Sequence, residues 1–490
     1  DFTSSTFETT IQDIINDLDD DDTTLVDAVS AQTHFRFTLL TVPGSYVENA
    51  VQTILDETAV TNEIPGIVMM FANGNGRSWT GTTGVSDLAN GTAMAADMKF
   101  KIGSITKTFV GMAILKLVED GKFGLDDPIN TLLPEDVVTT LEEKYDTTVI
   151  KVRHLLTHFS GISHVTANYD GWFVPFYTNP LQTMTPEELI TLTVAIDMYV
   201  ITDATIAALT SEGVDEAVLT ALAEMKDIEG TEHDFRSAFS EMNLTEEVIA
   251  FILANSKAPV HQPEESWNYS NGNFILLSMI IEKVTGDTWA NEIRNRFILP
   301  LNLADAVIPE TGEVGISGKH ANGYIDLYTE SHGLAGEEGA SLTDYTAVND
   351  PSFFGAAGNM IATVEDLTKW IGAVGRGELF GDDMQNTLST SFINIGSLDM
   401  GLSILKNPTY NVIGHGGQNP GYDCGIEYQI DNDVAMALCA NRTIKNAGKS
   451  LNTTLVPVLD LLFGNEAPES RKAVQIGDNV LKTFSGYYPW

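Results

Sequence analysis

FKIGSITKTF (residues 100–109) sets Ser104 three residues before Lys107 at the head of an apolar run. Ile105, Phe109, Met112, Ile114, Leu115 and Leu117 recur at helical spacing, and Gly121 ends the pattern, which predicts a helix between them. On a helix, residues i and i+3 share a face, so Lys107 stands beside Ser104. A serine hydroxyl attacks a carbonyl at neutral pH only with a base in reach. A helix N-terminus adds free N–H groups and a partial positive charge, which favour the neutral form of a lysine and stabilise an oxyanion. The plainer reading is an N-cap serine followed by a surface lysine. The two readings are compatible, because an N-cap is also where a nucleophile is well placed. Spacing alone discriminates poorly: Ser403 and Lys406 in GLSILKNPTY (401–410) repeat it. That second pair falls in a strand-like run, where alternation separates the two side chains.

Outward from this stretch, strand signals lie at both ends of the chain. A helix over 46–58 precedes IPGIVMMFANGNGRSWTGTTGVSDLANGTAM, which reads as two strands around a Gly/Asn turn. Near the other end GLSILKN, YNVIGHGG, GIEYQI and VAMALCA read as strands, while residues 124 to about 345 are helical segments and long loops. The expected fold class is therefore α+β, an antiparallel sheet built from both chain ends and flanked by helices, with an inserted all-helical lobe. The expected division is an acidic extension (1–44), a main domain (45–465) and a tail (466–490) that reads as the stub of a further β domain. Within the main domain the sheet region takes 45–123 and 346–465, and the helical lobe takes 124–345. An extra helical insert spans about 182–256, where TPEELITLT (185–193) and LTEEVIAFI (244–252) each show a threonine N-cap, an acidic first turn and an apolar face.

Two further stretches offer chemistry. In WNYSNGNFILLSMIIEKVTG (267–286), Tyr269 and Asn271 are alternate residues that can point into one cleft. A phenol near a lysine ammonium is drawn toward phenolate, which makes Tyr269 a proton shuttle. The alternative is a turn that merely caps the next helix; Tyr177-Thr178-Asn179, running into Pro180, is read as a turn of that plain kind. In GHGGQNPGYDCG (414–425), His415 can bind a substrate carboxylate or pass a proton. Gly416 and Gly417 would let a substrate lie along the strand edge. His154 and His158 in HLLTHFSG are four apart, the spacing of two metal ligands on a helix, but no zincin glutamate or third ligand accompanies them, and no metal is expected.

The chain carries 68 acidic and 26 basic residues, a net charge of −42, which disfavours nucleic acid and anionic membranes as partners. DLDDDD (17–22) lacks the glycine and closing glutamate of an EF-hand and reads as a solvated acidic segment. FILLSMII (274–281) is about the longest apolar run, well short of the roughly 18 residues of a membrane span. Cys424 and Cys439 lie in GYDCGIEYQIDNDVAMALCANR, two strands around a turn at Asp431-Asn432. A two-residue turn sets them opposite each other, so a disulfide is open to them, yet a one-residue slip abolishes it. Two buried free thiols are the favoured reading.

The three elements, in this order, resemble the serine hydrolases of the penicillin-recognising superfamily, a group marked by Ser-x-x-Lys. The branch they resemble holds class C β-lactamases, D-Ala-D-Ala carboxypeptidases, D-aminopeptidases and family VIII esterases. The resemblance covers about 57–460 and includes IPGIVMMFANG, GKFGLDDPI, LLTHFSGI and FFGAAGNMIATVEDLTKW. It implies a β-lactamase/transpeptidase-like fold, Ser104 as the acylated nucleophile and Lys107 as its proton partner. It also implies Tyr269 as general base and acid, Asn271 on the substrate amide, and an oxyanion hole from the backbone N–H groups of Ser104 and Gln418. No cofactor is implied. Class C β-lactamases typically have Lys-Thr-Gly where this chain has His415-Gly416-Gly417. The His-x-Gly form is similar to carboxypeptidases and aminopeptidases acting on D-residues, so the expected substrate is a short D-residue peptide, a D-Ala-D-Ala end being the leading case, with an ester or β-lactam as the alternative. A non-catalytic peptide-binding relative is the remote one. The family's usual substrates, and a first residue that is Asp1 rather than Met, point to an extracytoplasmic location. The insert is expected at the cleft rim beside Tyr269; nothing in the sequence sets the oligomeric state.

Overall fold

The computed structural model describes residues 46–163, 179, 181–195, 198–211, 216–224, 229–231, 248–249, 252, 261–325, 342–443 and 452–463. The acidic lead, the tail, Tyr177, Thr178 and most of LTEEVIAFI lie outside the described residues.

Helix α1 (Tyr46–Thr61) leads into strands β1 (Gly66–Asn73) and β2 (Ser78–Asp87). β1 is a continuous apolar run, buried over most of its length, as a central strand covered on both faces must be. β2 carries polar residues and is mostly half-buried, which suits its place near the sheet edge. The short β3 (Thr92–Ala93) closes that edge. β4 (Phe100–Lys101) leaves the main sheet and pairs with β5 (Ile361–Ala362), carrying the chain into helix α2 (Thr106–Glu119).

The other strands come from the far end of the chain: β6 (Ile393–Asn394), β7 (Asp399–Met400), β8 (Leu405–Asn407), β9 (Val412–Asn419), β10 (Tyr422–Gln429) and β11 (Val434–Ala440). They join β1–β3 in one nine-stranded sheet of order β6-β7-β8-β9-β10-β11-β1-β2-β3, antiparallel at every step. The two chain ends meet where β11 pairs with β1, Val68 opposite Cys439. One face packs α1 and the late helix Asn452–Phe463 through Val51, Leu55, Met436, Leu438 and Val458. The other face carries the larger core.

At the centre of that core α2 is buried on every side from Thr106 to Leu115, the signature of a helix enclosed by the fold rather than lying on its surface. Phe109 stacks on Trp370 with ring centroids 3.8 Å apart, and Trp370 Nε1 donates to Thr108 Oγ1 at 2.8 Å. The lobe helix Asn271–Thr285 packs on α2 and ends at Gly286, whose φ of +73° is the left-handed C-terminal stop. The helix Pro186–Ala195 begins as its sequence predicts: Thr185 Oγ1 accepts from the Glu188 N–H, and Glu188 Oε2 accepts from the Thr185 N–H. Its Thr193 packs against Gly272, beside Asn271. The lobe also carries two short ladders, Met198–Val200 with Glu229–Thr231 and Tyr324–Ile325 with Thr343–Asp344.

Two local expectations are corrected. Cys424 and Cys439 are joined as a disulfide, not held as free thiols; they face each other across β10 and β11 with Cα atoms 4.2 Å apart. The loop between those strands keeps the register that a turn centred on Asp431-Asn432 would set, so no slip intervenes. Ser403 is not a strand residue: its φ is +65°, and the strand starts only at Leu405. Among the described residues, no helix is long and apolar enough to cross a membrane.

Candidate active site

Ser104 does not cap the helix. It lies in a 3-10 turn, Gly103–Ile105, that runs into α2, and no side chain caps either element. Its hydroxyl is taken up by Lys107 instead, with Oγ 2.9 Å from Nζ. Nζ also donates to Asn271 Oδ1 and to the Ala357 carbonyl, each at 2.7 Å. Lys107 is fully buried, and burial alone holds its pKa well below the ordinary lysine value. A neutral amine has two N–H groups and one lone pair. In that neutral form, with the two carbonyl-type oxygens taking the N–H groups, the lone pair would face the Ser104 proton.

Tyr269 and Asn271 converge on the same lysine from the start of the helix Asn271–Thr285. Asn271 Oδ1 is bonded to Nζ, and the Tyr269 ring lies beneath Nζ with its centroid 4.9 Å away. Nζ stands over the ring face, and burial draws the Lys107 pKa down, which weakens the pull that a lysine ammonium would exert toward a Tyr269 phenolate. The third wall is β9. His415 is buried, its ring centroid 6.5 Å from that of Tyr269, and its Nδ1 hydrogen-bonds with the Gly416 carbonyl. Burial lowers its pKa to about 4, so at neutral pH it offers hydrogen bonds and no positive charge. Of the two partners expected for a substrate carboxylate, cationic or hydrogen-bonding, His415 is suited at neutral pH to the second.

Two glycines let β9 close on the turn that carries Ser104. A Cβ at Gly417 would come within 2.0 Å of Ile102 O and 2.9 Å of Ser104 N. One at Gly103, whose φ is +52°, would come within 2.3 Å of Gln418 O and 2.6 Å of Gln418 N. The backbone of Gln418 thus runs directly beside that of Gly103, and that of Gly417 beside Ser104. Gly417 is required for this packing, a reason different from the substrate path expected of it. The Gln418 side chain turns aside and donates to Asp423 at 3.0 Å.

Three contributors escaped the sequence reading. The Ala357 carbonyl belongs to FFGAAGNM, a stretch recognised without any role. Asn419 Nδ2 donates to Gly358 O at 2.9 Å, and Thr106 Oγ1 accepts from the Met360 N–H at 3.1 Å, fixing that segment to β9 and to α2. Its run of small residues was the available signal, since a backbone must come close there. His154 and His158 turn to different partners. His154 Nε2 pairs with Glu264 at 2.9 Å, while His158 has left the helix with φ +60° and bonds the Ser270 N–H.

A serine, a buried lysine, a tyrosine and an asparagine gathered beside a glycine-bearing edge of an antiparallel sheet are the frame of the penicillin-recognising serine hydrolases. Residues 47–458 match the Beta-lactamase family, and the chain belongs to it. Penicillin-binding protein 4* of Bacillus subtilis (strain 168) is 20% identical over 460 residues, 89% of this chain and 82% of that protein. Protein flp of Staphylococcus aureus (strain COL) is 23% identical over 331 residues, 66% of this chain, which spans about half (48%) of flp. Among solved structures, a D-stereospecific amidohydrolase from Streptomyces sp. superposes with a TM-score of 0.61 at 26% identity, covering 86% of this chain and 99% of its own.

Proposed function

We propose that this protein is a serine amidase that cleaves amides or short peptides of D-amino acids through an acyl-enzyme at Ser104. The observation that carries the reading is the bonding of Lys107. A desolvated amine committed to two carbonyl-type oxygens keeps its lone pair for the Ser104 hydroxyl. As Oγ bonds to the substrate carbonyl carbon, its proton passes to Nζ, and the oxyanion forms between the N–H groups of Ser104 and Gln418. The proton then moves by way of Tyr269 to the leaving nitrogen and the C–N bond breaks. Water attacks the ester by the reverse route, releasing the acid and restoring Ser104. Asn271, with Oδ1 committed to Lys107, has its Nδ2 left to donate to a substrate carbonyl.

The neutral His415 favours a substrate without a free carboxylate at the leaving end, that is an amide or a peptide cut from its amino end, over a D-Ala-D-Ala carboxypeptidase reaction. The D-preference draws on the Streptomyces amidohydrolase. The Cys424–Cys439 disulfide suits an oxidising, extracytoplasmic compartment. Hydrolysis of D- and L-phenylalanine amide, with acetyl-D-Ala-D-Ala and a phenyl ester alongside, tests the reading. D-amide cleavage lost in Ser104→Ala supports it. Cleavage of the L-amide alone, or D-amide cleavage that survives Ser104→Ala, sinks it.

A further inference from the structure

We infer that His158 is a positioning residue for Tyr269, an inference that rests on the reading of Tyr269 as the proton carrier. His158 grips the chain on both sides of the tyrosine. Its carbonyl accepts from the Asn268 N–H at 2.9 Å, and its ring Nδ1 accepts from the Ser270 N–H at 3.0 Å. The ring itself lies against the Tyr269 ring, centroids 4.3 Å apart and tilted by 30°. Tyr269 is thereby fixed at its two neighbours and along its aromatic face by one residue.

The histidine is held in turn. Ser160 Oγ donates to Asn273 Oδ1 at 2.7 Å, which orients that amide so that its Nδ2 donates to His158 Nδ1 at 3.2 Å. Two donors aimed at Nδ1 require it to be unprotonated, so the ring is the neutral tautomer with its proton on Nε2. His158 and Asn273 are both fully buried. His158 also holds φ +60°, a left-handed conformation uncommon for a residue with a side chain. Strain kept at a buried residue next to a candidate catalytic group points to use of that geometry.

The consequence is functional as well as structural. Tyr269 must deliver a proton first to one partner and then to another, which tolerates little wandering of the phenol. His158→Asn separates the two contributions, because asparagine tolerates the left-handed backbone and its Oδ1 can take the place of Nδ1, while the ring against Tyr269 is lost.

The test is a double-mutant cycle on D-phenylalanine amide hydrolysis, with Tyr269→Phe as the second change and thermal melts confirming that each variant folds. His158→Asn is expected to lower kcat about 10- to 100-fold with KM within about threefold, and to lower it by less than about twofold once Tyr269 is already phenylalanine. An equal loss in both backgrounds, or none in either, overturns the inference while leaving the Tyr269 reading intact. If Ser104→Ala abolishes activity and Tyr269→Phe does not reduce it, the Tyr269 reading fails and this inference falls with it. Should His158→Asn not fold, Ser160→Ala carries the same cycle, since it loosens the ring through Asn273, at the loss of the Ile162 N–H bond to Ser160 Oγ, and keeps the Asn268 and Ser270 N–H bonds to His158.

Discussion

Ser104 and Lys107 share their spacing with Ser403 and Lys406, and the chain treats the two pairs in opposite ways. Ser104 stands in a turn that becomes a helix, so the lysine comes back over it and Nζ lies 2.9 Å from Oγ. Ser403 sits at φ +65° ahead of a strand; its hydroxyl turns onto the Leu402 carbonyl at 2.6 Å, and Lys406 reaches out over the Phe392 ring. The first lysine is fully buried with two further acceptors, whereas the second lies on a half-buried short strand. Backbone conformation and the third and fourth partners separate a reactive pair from a coincidence of spelling. Both pairs meet at α2, because Ser403 packs against Gly111 on the helix that carries Lys107.

The largest expected contrast is in rate. Ser104→Ala and Lys107→Met should each lower D-amide hydrolysis by about 10³-fold or more, while Lys406→Met stays within about twofold. Comparable losses from both lysines would erase the distinction. The contrast also has a pH form. Neutral Lys107 is the competent state, so kcat/KM should fall as pH drops through its lowered pKa, and Lys406→Met should not move that limb.

His415 sharpens the picture through stability. Its folded pKa of about 4 lies below the ordinary value of 6.5, so the unfolded chain takes up the proton first as pH falls. Stability is full above about pH 6.5 and is lost toward pH 4, by on the order of 3 kcal/mol from this residue. Denaturant melts of wild type and His415→Asn between pH 4 and 7 measure it; parallel acid losses would show that His415 is not the cause.

A smaller effect concerns the place where the two pairs meet. A Cβ on Gly111 would come within 1.8 Å of Ser403 Oγ, so Gly111→Ala should destabilise by about 1–3 kcal/mol. Ser403→Gly, which suits the left-handed backbone and clears that space, should shift stability by less than about 1 kcal/mol and rescue Gly111→Ala. A double variant no more stable than Gly111→Ala alone would contradict the contact.

The sheet was legible from both chain ends because its central strands are continuous apolar runs and its turns carry Gly and Asn, signals that act over a few residues. The approach of Ser104 to Lys107 was legible for the same reason. The bond from Lys107 to Ala357 was not, since 250 residues separate them and a backbone carbonyl leaves no mark on its own side chain. Nor was the tautomer of His158, which is set by Ser270 and Asn273 on another element. The disulfide was misjudged because it depends on register, and register depends on pairing across the whole sheet. The pKa values of Lys107 and His415 follow from burial, which local sequence does not report.

The most direct measurement is intact-mass analysis and peptide mapping after exposure to a fluorophosphonate, which labels activated serines. The account predicts a single adduct on Ser104, none on Ser403, and loss of labelling in Lys107→Met. No adduct on the wild-type protein, or labelling that persists in Ser104→Ala, would contradict it.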